Sequence, residues 1–324
     1  MILFALVVLV GVLTPAFAQS TSLLNLSNNN SLSSTQNTVH SGNNVYVVWM
    51  DNSLGNWEIY FKRSTDSGVT FGNVVNLSNT AGFTNMPTIS VSGNNIYVVW
   101  HDGISGDYNE IFFVKSTDSG VTFSSPINLS NTAETSDNPQ ISASGNNVYI
   151  TWQERISRSS DGGNSEIFFV KSTDSGSTFS STVNVSNTSS QSHSFQMKTF
   201  GSNIYVVWRD TTDPVNGGIY FAKSIDNGNT FSSPQNVNNI SGYSDYPYVD
   251  VSGNNVYVTW TIEPIGKVNQ AYFAKSTDNG NTFSSPINLS KNPTDTRSRQ
   301  ISASGNNVYV LMNDFGSPAS NMYG

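Results

Sequence analysis

Two positions beyond a recurring tryptophan the chain carries Asp51, Asp102, Glu154 and Asp210; Asp314 stands at the same place after Met312, and the fifth copy has Glu263 one residue later. Carboxylates at a fixed spacing can do two kinds of chemistry. Each can cap the loop that follows it by accepting a backbone N–H, or together they can hold a cation or a hydroxyl-rich glycan. Both readings are open at this point. Carboxylates facing one another disfavour an anionic sugar unless arginines outweigh them. Trp57 lies in a loop outside the repeated frame and is the indole best placed to stack on a sugar. There is no cysteine, and His40, His101 and His193 occupy unrelated frame positions. Thiolate metal sites and a Cys nucleophile are excluded, and no metal or cofactor is expected.

The elements that must position these residues follow from an internal repeat. SGNNVYVVW at 41–49 returns, with small changes, ending at Trp100, Trp152, Trp208, Trp260 and Met312, a spacing close to 52 residues. A second phrase, STDSGVTF at 64–71, recurs at 116–123, 172–179, 224–231 and 276–283, and a third is marked by Asn25, Asn76, Asn128, Asn184, Asn236 and Asn288. In the second copy, 87–92 reads as strand a, 95–102 as strand b after a Gly-Asn turn, 110–116 as strand c and 123–130 as strand d. Four-stranded antiparallel sheets at a fixed period predict an all-β fold, a β-propeller of most simply six blades. Residues 21–27 match strand d, so they are expected to act as an N-terminal closing strand for the blade containing 297–312. Strand c of that blade would begin near the last residue, so the chain reads as truncated at its C-terminus. All length variation falls in the b–c loops, 51–57, 102–109, 153–165, 209–217 and 261–269. Strand alternation puts these on one face, where binding is expected.

A net charge of -8, a pI near 4.7 and 11% charged residues without a basic cluster argue against nucleic acid and anionic membranes as partners. Residues 1–18, an apolar run ending Ala16-Phe17-Ala18, read as a signal peptide, leaving 19–324 as a single propeller domain. The expected location is secreted or cell surface, with membrane attachment only through an uncleaved N-terminal segment, and the expected state is a monomer. The N-x-S/T sequons at Asn25, Asn29, Asn76, Asn128, Asn184, Asn187, Asn239 and Asn288 largely follow from the repeated N-L-S phrase.

The phrase S-x-D-x-G-x-T-F resembles the Asp box of sialidase-like BNR-repeat propellers, and the resemblance covers nearly the whole chain after residue 18. It implies that Asp66, Asp118, Asp174, Asp226 and Asp278 are structural turn residues remote from any active site. Sialidases resembling this fold clamp a substrate carboxylate with three arginines and use a Tyr–Glu pair as nucleophile. Their F-R-I-P phrase is missing, and Arg299-Gln300-Ile301-Ser302 is the nearest sequence. Arg63 fills a slot that is Lys115, Lys171, Lys223 and Lys275 elsewhere, and so belongs to the repeat. Arg155, Arg209 and Arg299 with Tyr246 or Tyr248 are the only catalytic candidates that the resemblance suggests. Three functions follow: a non-catalytic exported propeller binding a glycan or protein partner, a sialidase-like exo-glycoside hydrolase, or an architectural envelope protein.

Overall fold

A computed structural model describes residues 24–103, 108–156, 163–212, 217–264, 268–290 and 294–316; the signal peptide expected over 1–18 lies outside them. The first blade is β1 (Ser33–Ser41), β2 (Asn44–Asp51), β3 (Glu58–Ser64) and β4 (Val75–Asn76), and the second β5 (Thr84–Ser92), β6 (Asn95–Asp102), β7 (Glu110–Ser116) and β8 (Ile127–Asn128). The third comprises β9 (Ser136–Ser144), β10 (Asn147–Arg155), β11 (Ser165–Ser172) and β12 (Val183–Asn184). The fourth comprises β13 (Ser192–Phe200), β14 (Asn203–Asp210), β15 (Gly218–Ser224) and β16 (Gln235–Asn236). The fifth comprises β17 (Tyr243–Ser252), β18 (Asn255–Glu263), β19 (Gln270–Ser276) and β20 (Ile287–Asn288), and β21 (Thr296–Ser304) pairs with β22 (Asn307–Asp314) in a two-stranded sixth sheet. Each four-stranded sheet is a meander in chain order, the blade of a β-propeller. The chain forms two compact units, residues 1–152 with 170–181, and residues 153–169 with 182–324.

In the first five blades strand b is buried on both faces, which is why its sequence does not alternate. In the first unit Tyr46, Val48, Phe61 and Leu77 of blade one pack against Ile96, Val98, Trp100 and Phe112 of blade two. In the second, Tyr205, Val207, Phe221 and Val237 pack against Val256, Val258 and Trp260. Of the segment 21–27 assigned to a closing strand, residues 24–27 are described. Asn25 makes an isolated bridge, and Leu26 buries itself against Val45, Val47, Trp49 and Tyr60, the repeat equivalents of the residues that cover Leu77 on blade two.

Two details differ from the expected strands. Strand d shrinks to two residues because its own Asn turns the chain, as where Asn128 Oδ1 accepts the Asn131 N–H at 2.9 Å. Strand a starts three residues early and passes through a register shift, between Asn85 and Thr88 in β5 and between Asp245 and Tyr248 in β17. At this position of strand a in the first five blades a non-glycine residue takes positive φ: Thr35 46°, Met86 51°, Asn138 55°, Ser194 50° and Tyr246 53°.

Candidate functional site

The carboxylates two positions past the tryptophan are mostly buried, and they serve hydroxyls and backbone groups of their own fold. Asp51 accepts the Ser33 hydroxyl at 2.5 Å, the Asn29 amide at 3.0 Å and the Ser53 N–H at 2.8 Å. Asp210 accepts Ser190 at 2.6 Å, Ser192 and Thr188 at 2.9 Å each, and the Thr212 N–H at 2.8 Å. Burial pushes both up, but these bonds together hold both below the usual carboxylate range. The exposed Asp314 accepts the Gly316 N–H at 3.1 Å, and Glu154 is buried near the end of β10. The capping reading thus has direct bonds behind it at Asp51, Asp210 and Asp314.

A second set of carboxylates completes this arrangement. Glu58, Glu110 and Glu166 start strand c, and each accepts a buried serine hydroxyl, from Ser78, Ser130 and Ser186. Thr80 gives its N–H to Glu58 at 3.3 Å and its hydroxyl to Asp102 at 2.8 Å, so one residue ties carboxylates of consecutive blades. Thr188 joins Glu166 and Asp210 in the same way, at 3.0 Å and 2.9 Å. Burial, with Glu58's charge adding to it, raises Asp102, and burial raises Glu166. These carboxylates are therefore largely latches within the fold. Among the described residues no group of three His, Asp or Glu side chains converges as a cation site.

The five S-x-D-x-G-x-T-F turns are built alike. In one, Ser116 donates to Asp118 at 2.7 Å and accepts the Gly120 N–H at 2.8 Å, while Asp118 accepts the Thr122 N–H at 2.9 Å and hydroxyl at 2.6 Å. Asp66, Asp174, Asp226 and Asp278 repeat these bonds. Hydrogen bonds from Ser64 and Thr70 lower Asp66 to about 2. The neighbouring basic slot reaches into the next turn: Arg63 donates to the Ser119 carbonyl at 3.0 Å, and Lys223 to that of Asn279 at 2.6 Å.

A concave feature with convergent polar groups lies in the second unit. A pocket of ≈ 180 Å³ is lined by Tyr243, Asp245 and Tyr246 from β17, Thr261 and Glu263 from β18, Asn269, and Arg297 from β21. The bulge at Tyr246 turns this side chain outward, and its N–H is tied to Asp245 Oδ1 at 2.7 Å. Both tyrosines are 44% exposed. Behind Tyr243 lies the buried Arg209, whose Cζ sits 3.9 Å from the ring centroid. Its Nη1 is 2.7 Å from His193 Nε2 and 4.0 Å from Asp245 Oδ2. Arg297 is held by both oxygens of Asp295 at 3.2 Å, and Asn269 donates to the same carboxylate at 3.2 Å.

Of the sequence candidates, Tyr246 lines this pocket and Arg209 stands behind its Tyr243. Arg299 stands on β21 two residues beyond Arg297, and its charge acts on Tyr248, which burial raises. Arg155 is the exposed last residue of β10, and none of the described contacts joins it to the others. Three guanidinium groups therefore do not gather at the pocket, and only Arg297 lines it. Trp57 is half-buried in the first unit, edge-on to Phe83 at 6.4 Å. Tyr243, Asp245, His193, Asn269 and Arg297 were not singled out as site residues. The available signal was that they stand where the repeat copies differ.

No family model and no curated protein sequence matches the chain. Its fold does have solved counterparts. A Dyadobacter fermentans protein of unknown function superposes with a TM-score of 0.56 at 12% identity, covering 81% of this chain and 84% of its own. An ulvan lyase bound to -[GlcA(1-4)Rha3S]- gives 0.54 at 12%, covering 81% and 71%. An intramolecular trans-sialidase from Ruminococcus gnavus gives 0.53 at 10%, covering 83% and 87%. The chain has the sialidase-like β-propeller fold that the repeated turn implied.

Proposed function

We propose that the chain is an exported, non-catalytic propeller that binds a carbohydrate at the cell surface, in the pocket between Tyr243, Tyr246 and Arg297. The observation that carries this reading is the pairing of two exposed tyrosine rings with carboxylate, carboxamide and hydroxyl groups in one concavity. Aromatic faces cover the C–H face of a sugar while planar polar groups take its hydroxyls. Asp245 and Glu263 bring negative charge, and the one lining arginine is already paired to Asp295, so an uncharged glycan fits better than a carboxylated one. The apolar run 1–18 supports export, and a propeller of this fold carries a saccharide in the ulvan lyase complex.

The test is a glycan array with neutral, uronate-containing, sulfated and sialylated members, probed with wild type and with Tyr246→Ser. Binding to neutral members that Tyr246→Ser weakens supports the reading. The competing assignment, a sialidase-type hydrolase, is tested with a fluorogenic sialic-acid glycoside. Turnover above a blank that disappears in Arg299→Ala would replace the proposal.

A further inference from the structure

The pocket in the second unit has a counterpart that the repeat places elsewhere in the same chain. Subtracting 160 from Tyr243, Asp245, Tyr246, Thr261, Asn269 and Arg297 gives Phe83, Asn85, Met86, His101, Asn109 and Asp137. All belong to the first unit, and the structure shows that they are built in the same way. Met86 stands at the β5 bulge with φ 51°, and its N–H is tied to Asn85 Oδ1 at 2.7 Å, as Tyr246 is tied to Asp245. Phe83 is 49% exposed and Met86 40%, close to the 44% of the two tyrosines. Where Asn269 and Arg297 share the carboxylate of Asp295, Asn109 donates to Asp137 at 2.7 Å and His101 Nδ1 lies 3.2 Å from the same oxygen.

No other blade repeats the pattern. The place of Phe83 and Tyr243 is held by Leu32, Thr135, Gln191 and Asp295, and the bulge position by Thr35, Asn138 and Ser194 in the first, third and fourth blades. Two copies alone therefore put an exposed ring and an exposed large side chain around a polar cluster. From this correspondence we infer that Phe83, Met86, Asn109 and Asp137 form a second carbohydrate site, equivalent in frame to the first and specific for an uncharged sugar.

Its chemistry follows from the substitutions. Gly103 replaces Glu263 and no arginine takes part, so a ligand carboxylate or sulfate would find no cation beyond a buried histidine. Phe83 and Met86 offer an apolar platform, extended by the edge-on indole of Trp57, while the amide and carboxylate beside it suit hydroxyl donors and acceptors. Of the six tryptophans, Trp49, Trp100, Trp152, Trp208 and Trp260 are at most 1% exposed. Trp57 is thus a local fluorescent reporter for this site.

This inference rests on the carbohydrate reading of the pocket, and one titration separates their fates. Xylohexaose and a galactomannan hexasaccharide are titrated into the full chain by calorimetry, with tryptophan emission followed in parallel. Two sites per chain are expected in the wild type, with an emission change. Tyr246→Ser should leave one site and keep that change, whereas Phe83→Ser or Met86→Ser should leave one site and remove it, weakening the affected site roughly tenfold. Both substituted side chains are exposed, and Met86→Ser provides an independent check if Phe83→Ser folds poorly. A single site abolished by Tyr246→Ser, with no emission change, overturns the second site and leaves the pocket standing. No binding of either sugar by the wild type overturns both.

Discussion

Gly120 offers a direct test of how the repeated turns hold neighbouring blades together. Its φ is +82°, and an added Cβ would lie 2.7 Å from Cζ of Phe61 and 3.0 Å from Cδ1 of Ile96, both in the core between blades one and two. Gly120→Ala therefore meets two penalties, a left-handed backbone at about 1–2 kcal/mol and overpacking at about 1–3 kcal/mol. Gly145 supplies the control, because its φ is +59° and an added Cβ would find nothing within 4 Å. Gly145→Ala should lose only the backbone part, so the difference between the two variants isolates the contact at roughly 1–3 kcal/mol. Urea unfolding followed by emission of the buried tryptophans, with unchanged m, measures both. Phe61→Leu should relieve part of the Gly120→Ala loss, giving a double mutant less destabilised than the sum. Equal losses for the two glycines would refute the claim that this turn packs on the preceding blade.

His193 can accept from Arg209 only when its Nε2 is unprotonated, and burial followed by the Arg209 charge lowers its pKa, with Asp245 and Asp210 opposing. Its contribution to stability and to the Arg209–Tyr243 stack should be complete above the unfolded value of about 6.5 and fall as pH drops through the folded value; His193→Gln should flatten the pH profile of sugar binding. Glu166 has the opposite sign, since burial raises it. Its share of stability should be lost as pH rises through its folded pKa, and Glu166→Gln should remove that slope in urea titrations at pH 4–8. Asp66, lowered to about 2, should stabilise its turn above about pH 4 and release it as pH falls toward 2, an effect that acid-unfolding curves of Asp66→Asn should lack.

The period and the blade count were legible because the copies state them. The candidate site was less so, for the same reason. A reading built on what the copies share passes over Tyr243, Asp245 and Arg297, which matter because their counterparts differ. Strand alternation put Asp51 and Asp102 at the loop-bearing end of strand b, but could not say where their side chains point. That depended on Ser33 and Thr80, and on Glu58 and Glu110 standing opposite them in register. The bulges were hidden too, since no glycine marks the positive φ of Met86 or Tyr246. The sequence reading starts strand a at Pro87, whereas the strand already runs through the three residues before it.

In four of the five turns the closing phenylalanine packs edge-on against strand c of the preceding blade. Phe123 lies 4.9 Å from Phe61, Phe179 5.0 Å from Phe113, Phe231 5.0 Å from Phe169 and Phe283 5.0 Å from Phe221. During synthesis from the N-terminus, Phe61 thus stays uncovered until residue 123 has left the ribosome. Each blade finishes only when its successor's turn has been translated, so maturation trails elongation by a full repeat. A nascent chain whose emerged part ends between residues 76 and 123 would hold a first blade with its aromatic face still open, a natural target for a chaperone.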